Sequence, residues 1–146
     1  MVACEKGHED VADRLLAAGA TVNSEDNLGN SPLTLASANG LLGAVDRLVI
    51  HGANINHQNN NGYNALILAC HKGHLSVVDR LVGLGCEINV QTNNGCTALM
   101  LACQKGSAEI VKILLAHGAD TQLKTSHGRK AIDLACSQEI KDLLQG

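Results

Sequence analysis

The sequence predicts an all-α repeat solenoid, a stack of hairpin-helix-helix units with a period of 33 residues, and three observations predict it. ACEKGH at Ala3–His8, ASANGL at Ala36–Leu41, ACHKGH at Ala69–His74 and ACQKGS at Ala102–Ser107 are versions of one stretch. Three glycine ladders keep the same step: Gly29, Gly62, Gly95 and Gly128; Gly7, Gly40, Gly73 and Gly106; Gly19, Gly52, Gly85 and Gly118. The apolar residues are almost all aliphatic, with Tyr63 the one aromatic in 146 residues, which suits thin layers of small side chains. A fixed step of this size marks units that bury their apolar faces only against their neighbours.

Within a unit, the polar segment CEINVQTNNGCT and its equivalents come first. They carry Asn61-Gly62 or Asn94-Gly95, dipeptides that accept the positive backbone angles of a tight hairpin. NALILACHKG, Asn64 to Gly73, follows, with Leu66, Ala69 and Cys70 at helical spacing and a glycine suited to a helix C-terminus. HLSVVDRLVGLG, His74 to Gly85, sets Val77, Val78, Leu81 and Val82 on a second apolar stripe. The unit is therefore a hairpin followed by two antiparallel helices.

DNLGNSPLTLASANGLLGAVDRLVIHGANIN (Asp26 to Asn56) and TNNGCTALMLACQKGSAEIVKILLAHGAD (Thr92 to Asp120) resemble the ankyrin repeat. The resemblance divides the chain into a partial repeat at 1–25, full repeats at 26–58, 59–91 and 92–124, and a shortened capping repeat at 125–146. Where the family usually places histidine after its Pro-Leu pair, this chain has Thr34, Ile67, Met100 and Asp133, and the proline survives only at Pro32. These departures remove an expected inter-repeat hydrogen bond. The last unit is read with the shortening in its second helix and Asp142 in register with Ile113. Met1–Cys4 aligns with the middle of a first helix, so a longer array beginning before residue 1 is expected.

A formal charge of −3 and a pI near 6.1 give no attraction for a phosphate backbone, and one tyrosine supplies no base-stacking platform, so nucleic acid is not an expected partner. No apolar run spans a bilayer and MVACEKGHED lacks the features of a signal peptide, so membrane insertion is not expected. Six cysteines without a Cys-x-x-Cys pair suggest reduced thiols and a cytoplasmic or nuclear setting. No phosphate-cradling glycine loop and no His-Glu-x-x-His occurs. No cofactor, small-molecule substrate or catalytic residue is expected.

Two readings of function follow. By the resemblance, the chain is a non-enzymatic scaffold, adaptor or regulator that binds a protein or peptide on a concave face. The family's contact positions, carried over individually, are Asn27, Leu28 and Asn30; Asn60, Asn61, Tyr63, His71 and Lys72; Asn93, Asn94, Cys96, Gln104 and Lys105; and Ser126, His127 and Arg129. Tyr63 is the expected anchor, and Lys72, Lys105 and Arg129 give the face a basic character that calls for an acidic partner. The alternative is a metal-binding or hydrolytic site at Cys70, His71 and His74. Cys4, Cys70, Cys103 and Cys136 share one repeat position, however, and His8 and His74 share another, which favours packing and helix capping. His51 and His117 also share a position. Asp13-Arg14, Asp46-Arg47 and Asp79-Arg80 read as a solvated helix face, with a charged docking stripe as the sharper alternative. Asn23, Asn56 and Asn89, each eight residues after a leucine, resemble sites of oxygen-dependent asparaginyl hydroxylation, against a turn-capping role.

Overall fold

The computed structural model describes residues 22–145. Cys4, His8, Asp13-Arg14 and most of the partial unit read over 1–25 lie outside the described residues. Among the described residues eight helices occur in pairs: α1 (Pro32–Ala38) and α2 (Leu42–Ile50), α3 (Ala65–Lys72) and α4 (Leu75–Gly83), α5 (Ala98–Lys105) and α6 (Ala108–Ala116), α7 (Ala131–Leu134) and α8 (Gln138–Gln145). Each helix packs on its pair mate and on its counterpart in the next unit. No strand forms among the described residues.

The core is written in the repeat register. Leu33, Leu66 and Leu99 are 1% exposed, and Ala36, Ala69 and Ala102 are fully buried between successive first helices. Val45, Val78 and Val111 face them from the second helices, followed one turn later by Leu48, Leu81 and Leu114. Alanine in the first row lets the backbones approach, and each leucine removed from water contributes about 1.5–3 kcal/mol. Cys70 and Cys103 fill the expected buried position, with Ser37 replacing them in the first described unit.

Local hydrogen bonds place the helix starts. Ser31, Asn64 and Thr97 accept from the backbone N–H three residues on, at 3.3, 2.8 and 3.2 Å. The departed-histidine position is put to local use in three units, where the Ser31 N–H donates to Thr34 Oγ1 at 2.8 Å, the Thr97 N–H to Met100 Sδ at 3.4 Å and the Lys130 N–H to Asp133 Oδ2 at 2.9 Å. Left-handed Gly73 and Gly106, φ 76° and 83°, stop α3 and α5.

Two sequence expectations are corrected. The hairpin dipeptides do not both take positive angles: only the glycines do, and no other described residue has positive φ. Each tip is instead a turn closed by the side chain that opens it. Asn59 Oδ1 accepts from the N–H groups of Asn61 and Tyr63, both at 3.0 Å, while Gly62 N–H returns to Asn59 C=O at 2.9 Å. Asp26 and Thr125 do the same in their units. The second correction concerns the last unit. Helix α8 begins 30 residues after α6 and is eight residues long, whereas α7 has four. The shortening thus falls at the end of the first helix, which brings Ile140 into the buried register of Ile110 and leaves Asp142 exposed in the register of Lys112.

Candidate functional site

The hairpin tips form one continuous edge. Asn60 N–H donates to Leu28 C=O at 3.0 Å, Asn93 N–H to Asn61 C=O at 3.1 Å, and Ser126 N–H to Asn94 C=O at 2.9 Å. The Asn60 and Asn93 side-chain amides reinforce the ladder by donating to Asn27 C=O and Asn60 C=O at 3.2 and 2.9 Å. A methyl group on Gly62 would come within 2.9 Å of Asn93 N, so the tip glycine serves close approach as well as its φ of 84°. Of the tip residues read as partner contacts, Asn60 and Asn93 therefore spend donors on the stack. Leu28 is 65% exposed and Asn27, Asn61, Asn94, Ser126 and His127 are also exposed.

Behind the tips, Asn30, Tyr63, Cys96 and Arg129 occupy one register. Asn30 Oδ1 accepts from Asn59 Nδ2 at 2.9 Å, Tyr63 is half-buried and packs against the core, Cys96 is half-buried, and Arg129 is exposed. Tyr63 thus gives part of its ring to the core.

The ends of α3 and α5 bring four predicted residues together. His71, Lys72, Gln104 and Lys105 line a shallow pocket of about 220 Å³, with Leu101 as a fifth wall. Sequence reasoning missed Leu101; the signal was its register with Leu35, Leu68 and Leu134, a row of leucines that is not fully buried in its other copies. Burial, and then the charges of Lys72 and Lys105, hold the His71 imidazole below its ordinary value. The pocket is therefore a cationic rim around an apolar wall, where an anion would be favoured.

ACHKGH does not converge on a metal or nucleophile site. The Cys70 thiol is buried and pushed well above its ordinary value by desolvation, so the reactive thiolate is disfavoured. His71 faces the pocket. His74 precedes α4 and places Nε2 3.0 Å from Ala38 C=O, completing the open C-terminal end of α1 in the preceding unit, not its own helix start. Among the described residues no group of three or more His, Cys, Asp and Glu side chains is placed to hold a metal ion.

His51 and His117 set Nδ1 2.7 and 2.9 Å from the carbonyls of Arg47 and Ile113, at the ends of their helices. Asn23, Asn56 and Asn89 clamp one unit to the next: their Oδ1 atoms accept from Asn54, Glu87 and Asp120 N–H at 2.8, 2.9 and 2.7 Å. Their bonds span about one repeat, not the local turn expected.

The architecture is a helical-repeat solenoid that offers a polar tip edge and a cationic pocket on the side of its first helices. A family model described as ankyrin repeats (3 copies) matches residues 1–92 and again 67–145, and the chain belongs to the ankyrin-repeat family. Ankyrin repeats are in general protein–protein interaction modules and typically non-enzymatic. A search of curated proteins found no match to the chain. No helix among the described residues is long and apolar enough to cross a membrane.

Proposed function

We propose that the chain is a scaffold, adaptor or regulatory module that binds an acidic segment of a partner protein along the hairpin tips and first helices. The observation that carries this is the pocket of His71, Lys72, Leu101, Gln104 and Lys105, which joins two cations and an imidazole to one apolar wall. A partner carboxylate fits between Lys72 and Lys105, the methylenes behind it lie on Leu101, and Gln104 supplies an amide. Leu28, exposed on the tip edge, and the half-buried Tyr63 offer further apolar contacts outside the pocket. Buried reduced thiols such as Cys70 and Cys103 suit a cytoplasmic or nuclear setting.

The test is a pull-down from cell extract with the wild-type chain and with Tyr63, Lys72 and Lys105 all changed to alanine, both first shown to be folded by circular dichroism. A protein kept by the first and lost by the second supports the reading. Equal retention by both places the binding surface elsewhere. For a captured partner, Lys72→Ala and Lys105→Ala should each weaken binding and flatten its salt dependence.

A further inference from the structure

The opposite side of the stack carries a second surface, at the junction between α4 and α6. Its origin is a broken repeat. At the α2–α4 junction, the Arg80 guanidinium reaches back one unit to the Asp46 carboxylate, with both side chains partly exposed. One repeat later Asp79 stands in the register of Asp46, but the register of Arg80 is filled by Ile113. Asp79 has no hydrogen-bond or ion-pair partner among the described residues.

The missing arginine leaves a cleft. Gly73, His74, Leu75, Ser76, Asp79, Glu109 and Ile113 line an open groove of about 640 Å³ between the first turns of α4 and α6. Leu75 is 42% exposed and Ile113 half-buried, so two aliphatic side chains stand within an otherwise mostly polar lining. The other charged and titratable groups there are already engaged: Glu109 holds Lys112 at 3.2 Å, and His74 is turned to Ala38 C=O. Asp79 is the carboxylate left without a cation, in the same groove as Leu75 and Ile113.

We propose that this groove docks a peptide segment of a partner protein that presents an arginine next to an aliphatic side chain. The guanidinium takes the place at Asp79 that Arg80 takes at Asp46, and the aliphatic group covers Leu75 and Ile113. The chain itself displays the contact one repeat earlier, which identifies a guanidinium as the complement of this carboxylate. A planar, fork-shaped cation suits such a site better than a lysine.

The test titrates the isotope-labelled full chain with acetyl-leucyl-arginine amide and, separately, with its neutral citrulline counterpart, following backbone amides by NMR. Saturable shifts at Ser76, Asp79, Glu109 and Ile113 with the arginine peptide, and at least about tenfold weaker binding of the citrulline peptide, are expected. Ile113→Arg supplies the missing guanidinium from within and should abolish the shifts in a chain that remains folded. Asp79→Asn should weaken binding about as much as loss of the peptide's charge. Equal binding of the two peptides, shifts confined to Leu101 and Lys105, or full binding by Ile113→Arg would overturn the assignment. Movement of the same amides on concentrating the protein alone would give the groove to a second copy of the chain and equally overturn it.

Discussion

Asn89 Oδ1 accepts the backbone N–H of Asp120 at 2.7 Å, while Asn89 Nδ2 donates to Gly118 C=O at 3.2 Å, so one side chain fastens the end of one repeat to the end of the next. Asn89→Ala deletes both bonds and should lower the unfolding free energy by about 1 kcal/mol, read as a lower urea midpoint at unchanged slope. Hydroxylation at Asn23, Asn56 and Asn89, the alternative to a capping role, would have to act on asparagines engaged in this clamp. Mass spectrometry of the native protein is the check: no added oxygen at any of the three removes the idea.

Ser37 is fully buried with no partner for its hydroxyl, in the register that Cys70 and Cys103 fill with a thiol. Ser37→Ala should raise stability by about 1 kcal/mol, because no hydrogen bond is lost and a desolvated polar group is removed. Asn64→Thr is the companion change: it keeps the cap, as Thr97 does one unit later, and removes the unpartnered Asn64 Nδ2. A lower thermal midpoint for both variants would contradict this account of the two groups.

Gly52 and Gly62 both have left-handed φ, 91° and 84°, but a methyl on Gly52 meets nothing within 4 Å. Gly52→Ala should therefore cost only the backbone preference, about 1 kcal/mol. Gly62→Ala adds the collision with Asn93 and should cost about 1–3 kcal/mol more. Equal losses in chemical denaturation would mean that the tip ladder contributes no steric constraint.

The folded chain holds the His71 pKa down, so the unfolded chain binds the proton more tightly. The stability linked to this group is fully present at higher pH and is lost as pH falls through the ordinary histidine value of about 6.5 toward the folded value. His71→Gln should flatten the corresponding part of the pH–stability profile. Lys105→Ala should raise the His71 pKa in an NMR titration. In the opposite sense, a carboxylate docked in the pocket favours the imidazolium, and partner affinity should rise on acidification.

Thiol reagents should separate the cysteines. Cys136 is exposed and Cys96 half-buried, so both should react in the folded chain. Cys86 and Cys103 are pushed up to about 11 and about 12 by desolvation, and Cys70 higher still, so these three should react only after unfolding. Peptide mapping of the labelled folded protein checks the pattern.

Periodicity made the helix pairs, the buried leucine and alanine rows and the burial of Cys70 legible from sequence, because each is repeated by packing demands. What crosses a junction was harder to read. His74 looked like a cap for its own helix, yet its partner is 36 residues away at Ala38; Asp46-Arg47 and Asp79-Arg80 looked like neighbour pairs, yet Arg80 pairs with Asp46. Sequence spacing shows which residues share a register, and it is silent on which way a long side chain turns. The pocket was half legible for the same reason. Its polar residues were reached through the family's contact positions, whereas Leu101 was hidden by belonging to a regular row of leucines.

The tip ladder has a consequence for growth of the molecule. The two middle tips each give one amide to the tip before and offer one carbonyl to the tip after, as the Asn93 N–H does to Asn61 C=O and the Asn94 C=O does to Ser126 N–H. Donor and acceptor are always taken from the same two places in a unit, so a spliced-in duplicate of residues 59–91 would find its attachment points already cut to size on both sides. The array can lengthen by whole units without redesign of any joint, and with each addition another pocket of the His71 type is set one step further along the edge.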